Sequence, residues 1–316
     1  MMIDRNEKGE TIMNLKKGIC FLLAGALGTG TILGGCSRKD TTEDAVSSKG
    51  GYIEEEMKAP WQEGEYYMGS FFNQEGNLEV YTGGTSDSGT AQVFSYTYTG
   101  GGNWDQQEES WAETLLGTDS TAYKKLIQGE DQNLYLMTVK NSQEDSQSEE
   151  TESSESEEVN IDDLIQEWHL YRYAGEGEAQ ELYPECLTEE GQREAGGFFP
   201  YYFGVNQEGD PAFMGMGSEI AIYDKDTGKE QYTFPSYMIM NSSDTMADIS
   251  GNTLAVLGNE DQDLVLYDTQ TGEETGAIDF GDQDRGQLCA AGEGKYYLAN
   301  SKGIFVYKED GSIVEQ

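Results

Sequence analysis

Histidine is almost missing from this chain, which carries one, His169, in 316 residues. Basic side chains are also few: 19 Lys and Arg stand against 60 Asp and Glu, for a formal net charge of −41. Proline occurs five times and cysteine four. Each shortage excludes something. Zinc and copper centres want several His or Cys ligands, which this composition cannot assemble, so no metal site is assigned. A Ser-His-Asp triad would have to use His169. So acidic a surface repels nucleic-acid phosphates, which excludes DNA and RNA as partners. It also repels anionic lipid headgroups, so any membrane attachment must be covalent. No Walker loop, heptad repeat or basic stripe is present to suggest a nucleotide or a coiled-coil partner.

What is present begins with an export pattern. Met13-Asn-Leu-Lys-Lys-Gly is a short basic stretch, Ile19 to Leu27 is apolar, and Leu33-Gly34-Gly35-Cys36 ends the run with small residues before a cysteine. An apolar helix followed by a small-residue cleavage segment is the physical requirement for export. As a membrane span, Gly18 to Gly35 is barely long enough and holds six glycines. Residues 1–12 are polar and partly acidic, which makes Met13 an alternative start. The four-residue ending resembles the lipobox of bacterial lipoproteins. That resemblance implies cleavage between Gly35 and Cys36, diacylglyceryl transfer to the Cys36 sulfur, and anchorage at the extracytoplasmic face of the cell membrane. Two acyl chains suffice for stable anchoring. Residues 1–35 carry four basic and three acidic side chains, so their removal leaves the rest one charge more negative.

Residues 36–50 then read as the lipidated cysteine and a flexible polar spacer, and residues 51–316 as one β domain. Its 20 Tyr, 11 Phe and 4 Trp supply a core despite the charge. Internal repetition organises it. Ile220-Ala-Ile-Tyr-Asp-Lys-Asp-Thr-Gly-Lys-Glu230 and Leu264-Val-Leu-Tyr-Asp-Thr-Gln-Thr-Gly-Glu-Glu274 superpose without a gap, and Ile304-Phe-Val-Tyr-Lys-Glu-Asp-Gly311 follows in weaker form. His169 to Tyr173 and Phe94 to Tyr98 fit the same place. A second strand precedes each, at Asn77–Tyr81, Asn133–Met137, Ala212–Gly215, Thr253–Leu257 and Lys295–Leu298. Four short alternating strands per unit, repeated every 40–50 residues or so, predict a β-propeller of about five four-stranded units. The units start near residues 70, 125, 200, 246 and 287. A β-sandwich of tandem hairpins is the competing architecture. The fifth unit reaches only Ile313–Gln316 after its turn, so either Tyr52–Met57 completes it or the ring is an open arc.

The Asp-x-x-Thr-Gly turn resembles quinoprotein-type and WD-repeat-like propeller repeats, in which a tryptophan after the Gly docks one blade on the next. Tyr232 stands there in one unit and Gly276 in the next, so the docking pattern reads as broken and no quinone cofactor is implied. More widely, the chain is similar to propeller-like surface lipoproteins of Gram-positive anaerobes, some of which precede a solute-binding domain. Tyr52-Ile-Glu-Glu-Glu56 resembles their first outer strand.

Candidate chemistry is thin. Ser142 to Asp163 holds ten acidic residues amid Ser and Gln; it reads as a disordered loop inserted in the second unit. Asp279, Asp282 and Asp284 offer oxygen ligands for calcium but lack the Gly and terminal Glu of a helix-loop-helix site, and read better as a solvated turn. Paired carboxylates could hydrolyse glycosides, yet among 60 acids chance pairs abound. Trp61, Trp104, Trp111 and Trp168 could stack on sugars or fill the blades. Cys186 and Cys289, with no C-x-x-C spacing, read as two thiols rather than a disulfide. No catalytic or cofactor-binding residue is assigned. The pattern points to a non-catalytic module binding a protein, peptide or saccharide, or supporting neighbouring envelope proteins. A carboxylate-based carbohydrate-active enzyme and the front part of a solute-capture lipoprotein are the competing classes.

Overall fold

The computed structural model describes residues 2–4, 52–54, 58–73, 75–116, 121–140, 164–215, 219–236, 247–258, 264–280, 286–290, 294–300 and 302–315. The lipobox residues Gly35 and Cys36, the spacer and the acidic tract 142–163 lie outside them. The first pairing, β1 (Met2–Asp4) with β2 (Tyr52–Glu54), is a separate two-stranded ribbon.

Five four-stranded antiparallel sheets follow, arranged as a five-bladed β-propeller. Blade 1 is β3 (Tyr66–Phe72), β4 (Leu78–Thr85), β5 (Ala91–Gly100) and β6 (Asn103–Glu108). Blade 2 is β7 (Thr121–Gln128), β8 (Leu134–Lys140), β9 (Glu167–Tyr173) and β10 (Gln180–Leu182). Blade 3 is β11 (Tyr202–Val205), β12 (Pro211–Met214), β13 (Glu219–Tyr223) and β14 (Glu230–Pro235). Blade 4 is β15 (Ala247–Ser250), β16 (Thr253–Leu257), β17 (Leu264–Asp268) and β18 (Glu274–Ile278). Blade 5 is β19 (Gln287–Ala290), β20 (Lys295–Asn300), β21 (Gly303–Lys308) and β22 (Ile313–Glu315). Every blade is built from consecutive strands, including the fifth, whose last strand is the short β22. Tyr52–Glu54 therefore does not complete blade 5, whose fourth strand is β22, and pairs with β1 instead.

First strands lie at the centre: β3 runs beside β7, β11 beside β15 and β15 beside β19. Four apolar clusters join successive blades. Met68 and Val93 meet Leu126 and Leu136 between blades 1 and 2. Met137 and Leu170 meet Phe203 and Phe213 between blades 2 and 3. Ile220 and Ile222 meet Leu254 and Val256 between blades 3 and 4. Leu257 and Leu266 meet Leu298 and Tyr307 between blades 4 and 5. Both faces of blades 2, 3 and 4 are thereby buried, which a single four-stranded unit cannot do. Two further clusters keep to one blade each, Leu78, Val80 and Tyr96 in blade 1 and Cys289, Tyr297 and Val306 in blade 5.

The repeated turn explains itself locally. Asp224 accepts from the Thr227 N–H at 2.6 Å and the Thr227 hydroxyl at 2.8 Å, and Asp268 accepts from Gln270 N at 2.7 Å and Thr271 N at 3.0 Å. These are Asx turns. The preceding tyrosines Tyr223, Tyr267 and Tyr307 each sit at a register shift, a bulge that bends the chain into the turn. The glycines that follow, Gly228 at φ +71° and Gly272 at φ +75°, adopt the left-handed region.

The docking reading needs correction. Tyr232 of blade 3 does dock: a Cβ on Gly272 would lie 2.5 Å from its ring, so the blade 4 turn rests directly on that aromatic face. Gly228 likewise abuts the Tyr183 carbonyl of blade 2, and its own carbonyl accepts from Glu185 N at 2.7 Å. Between blades 4 and 5 docking is lost, since Gly276 brings no ring and Gly311 has nothing within 4 Å, and the blade 2 turn glycines Gly175 and Gly177 likewise meet nothing.

Two short helices fill inter-blade connections. Helix α1 (Ser110–Leu116) buries Ala112 and Leu116 against blades 1 and 2. Helix α2 (Glu189–Ala195) is capped by the Thr188 hydroxyl, which accepts from Gly191 N, and ends on Gly196 at φ +77°. Period-2 alternation carries no signal for such short helices, which the sequence reading does not include.

Candidate functional site

Strand direction sorts the connections into two faces. Turns from first to second and from third to fourth strand emerge at one face and are short. Connections from second to third strand, and from blade to blade, emerge at the other. The chain enters β3 and leaves β8 at that second face.

On the short-turn face, polar side chains bolt blades together. Glu130 of blade 2 accepts from Gly251 N of blade 4 at 2.8 Å, and the Gly251 carbonyl accepts from Gln207 N of blade 3 at 2.9 Å. Asn206 donates to Thr269 at 3.2 Å and Gln270 to Glu208 at 2.9 Å, both between blades 3 and 4. Asp131 holds Tyr135 at 2.8 Å, Asn133 at 2.5 Å and Arg172 at 3.4 Å within blade 2. Asp248 of blade 4 accepts from Ala290 N of blade 5 at 2.8 Å. Carboxylates engaged by backbone N–H groups in this way order the ring.

The innermost strands hold a second polar group. Lys125 faces Met137 across β7 and β8, Tyr202 faces Met214 across β11 and β12, and Gln287 faces Ala299 across β19 and β20. Counted from the third-strand tyrosines Tyr173, Tyr223 and Tyr307, these three occupy one position of the repeat. The blade 4 counterpart, Met246, lies outside the described residues. Burial pushes the Lys125 ammonium below its ordinary pKa, and the Asp248 carboxylate opposes that shift. Burial raises the Tyr202 hydroxyl well above its ordinary value, with Asp248 and Glu130 adding to the rise.

Residues singled out in the sequence fall elsewhere. His169 is the third residue of β9, on the outer pair of blade 2 rather than at a strand start. Its Nδ1 lies 2.6 Å from Glu181 and its Nε2 3.2 Å from Glu167, while Tyr183 donates to Glu181 at 2.9 Å. Its ring stacks on Tyr171. Neither nitrogen faces a serine, so this is not a triad. Cys186 and Cys289 are both thiols, as expected. Burial raises Cys186 to about 12, despite a hydrogen bond with Tyr223, which makes it a poor nucleophile at neutral pH. The tryptophans pack blades: Trp168 is edge-on to Phe198, Trp111 stacks on Tyr173 at 4.4 Å, and Trp61 and Trp104 pack on blade 1. Asp279 is described, whereas Asp282 and Asp284 are not. Among the described residues no group of three His, Cys, Asp or Glu is placed to hold a metal ion.

No family model matches this chain, and no curated protein does. Among solved structures it is similar to a protein of unknown function from Dyadobacter fermentans DSM 18053, at 10% identity over 80% of this chain and 82% of that one, with a TM-score of 0.43. It is also similar to BamB from Moraxella catarrhalis, at 12% identity over 78% of this chain and 60% of that one, TM-score 0.32. A third likeness is to the WD40 β-propeller domain of Doa1, at 10% identity over 74% of this chain and 64% of that one, TM-score 0.34. The blade count rests on the sheets themselves, not on these distant likenesses.

Proposed function

We propose that this protein is a lipid-anchored, extracytoplasmic binding or scaffold module rather than an enzyme. The observation that carries the reading is the use of its polar side chains. Glu130, Asp131, Asn206 and Asp248, which lie on a first strand or in the turn that follows one, hold turns and neighbouring blades in place. A propeller so fixed presents a rigid face to a partner, which lowers the ordering cost of association. The chain enters blade 1 at the face of the longer connections. A tether from Cys36 through residues 37–57 would attach there, leaving the short-turn face directed away from the bilayer.

The anchor is tested by replacing Cys36. In the wild-type chain, inhibiting the lipoprotein signal peptidase should leave a slower-migrating precursor, and Cys36→Ala should abolish labelling by a radioactive or clickable fatty acid. Unchanged migration together with undiminished labelling would refute it.

A further inference from the structure

Exposed apolar side chains are unevenly placed on this propeller. Among the described residues five large ones stand out into solvent: Leu164, Tyr183, Phe199, Tyr201 and Ile313. Leu164 lies in the connection from β8 to β9, and Tyr183, Phe199 and Tyr201 lie in the connection from β10 to β11. Both connections belong to the second face, around the junction of blades 2 and 3; only Ile313 lies elsewhere. Apolar residues scattered singly over a surface need no explanation, whereas a cluster does. Leu164 rests against Gly197, where a Cβ would lie 3.3 Å away, two residues before Phe199. The Phe199 and Tyr201 rings pack edge to face with centroids 5.3 Å apart.

Local packing holds these rings outward. Phe198, Pro200 and Tyr202 are buried, so the residues between them, Phe199 and Tyr201, are left at the surface. Phe198 sits edge-on to Trp168 and Phe213, and the Tyr201 N–H donates to the Met214 carbonyl at 2.9 Å. The Leu164 side is pinned through Gln192 of α2, fully buried, whose side-chain amide donates to the Gln166 carbonyl at 2.8 Å and accepts from the Gln166 N–H at 2.9 Å. Rings presented in this way lose little freedom on contact with a partner. Charge narrows what that partner is. Helix α2, which leads into the patch, exposes Glu189, Glu190 and Glu194 against one base, Arg193, already engaged by Glu189 at 3.1 Å. Two copies of a chain at −41 repel each other, and anionic lipid is repelled likewise.

We infer that Leu164, Phe199 and Tyr201 form a docking surface for a basic polypeptide segment of a partner protein, one that carries Lys or Arg beside apolar side chains. Aromatic faces attract ammonium and guanidinium groups, aromatic anchors carry much of the energy of an interface, and the carboxylates of α2 favour a cationic approach. The inference deepens the binding-module reading and rests on it, but it does not need the anchor at Cys36.

The test uses the full chain and three fluorescein-labelled peptides of equal length: alternating Arg and Leu, alternating Arg and Ser, and alternating Glu and Leu. Fluorescence anisotropy at physiological ionic strength should show saturable binding of the Arg/Leu peptide, with the other two weaker by roughly tenfold or more. The double variant Phe199→Ser, Tyr201→Ser should weaken Arg/Leu binding by a similar factor. Ile313→Ser, which removes a comparably exposed side chain elsewhere, should leave it unchanged. Should the double variant fail to fold, Tyr201→Ser alone decides, with a several-fold loss expected. Equal binding by the wild-type chain and the variants, equal binding of the Arg/Ser peptide, or no binding at all overturns the docking surface. So does sedimentation with phosphatidylcholine vesicles that the double variant abolishes while no peptide binds, which would assign the patch to the bilayer. Any of these results alongside intact acyl labelling of Cys36 removes the docking surface and leaves the anchored scaffold standing.

Discussion

Between blades 3 and 4 the Tyr232 ring lies on Gly272, two side-chain hydrogen bonds cross the junction, and Ile220, Ile222, Leu254 and Val256 share one core. At the other end of the chain, the outward cluster of blade 5 (Cys289, Tyr297, Val306) and that of blade 1 (Leu78, Val80, Tyr96) remain separate. The same repeat therefore makes a tightly bolted junction in one place and a seam in another. The junction of blades 4 and 5 stands between the two, sharing an apolar core but lacking the docked turn. Tyr232 becomes Gly276 one blade later, and Gly311 meets nothing where Gly228 meets the Tyr183 carbonyl. No strand is exchanged to lock the ring either, because each sheet is closed by its own four consecutive strands. Stability should thus be graded around the ring, highest at blades 2 to 4.

That gradient can be broken at its strong end. Leu254→Ala, in the core shared by blades 3 and 4, should cost about 2–5 kcal/mol in urea unfolding, the range for emptying a buried leucine site. Val306→Ala in blade 5 should cost clearly less, since fewer packed neighbours surround the smaller void. Next in size, Gly228→Ala and Gly272→Ala combine a left-handed backbone with a blocked contact and should each cost roughly 2–3 kcal/mol. Gly311→Ala, at φ +77° with open space around it, should cost only the backbone part, about 1 kcal/mol. Equal losses at Gly272 and Gly311 would show that the turn does not dock.

The comparison can also be sharpened from the weak end. Gly276→Tyr supplies blade 4 with the ring that blade 3 has in Tyr232. It should raise the melting temperature by a degree or two, and the gain should vanish when Gly311 is also replaced. Smallest of all, replacing Ser142–Asp163 with a short Gly/Ser turn should change stability by less than about 0.5 kcal/mol, because a charged polar tract buries little and loop length costs little.

Sequence reasoning read the blades well because the outer strands repeat themselves. Tyr223, Tyr267 and Tyr307 mark third strands, and strand starts expected near 70, 125, 200, 246 and 287 are observed at Tyr66, Thr121, Tyr202, Ala247 and Gln287. The bulge at each tyrosine was hidden, since a register shift leaves no mark in a period-2 pattern. Docking by Tyr232 was misjudged because a tyrosine can stand in for a tryptophan wherever the opposing residue is a glycine. The central position was invisible for a different reason. Lys125, Tyr202 and Gln287 share no chemistry as residues and become equivalent only once cross-strand registers are known. First strands are dissimilar in sequence, so they carry the least repeat signal although they lie at the centre of the propeller.

The graded ring is tested most directly by hydrogen–deuterium exchange on the full chain, resolved by peptide mass spectrometry. Local opening free energies appear there as exchange rates. Peptides from blade 5, Gln287 to Glu315, should exchange roughly tenfold or more faster than those from Tyr202 to Ile278, consistent with an opening free energy lower by about 1.4 kcal/mol. Uniform protection around the ring, or earlier exchange in blade 3 than in blade 5, would contradict the gradient.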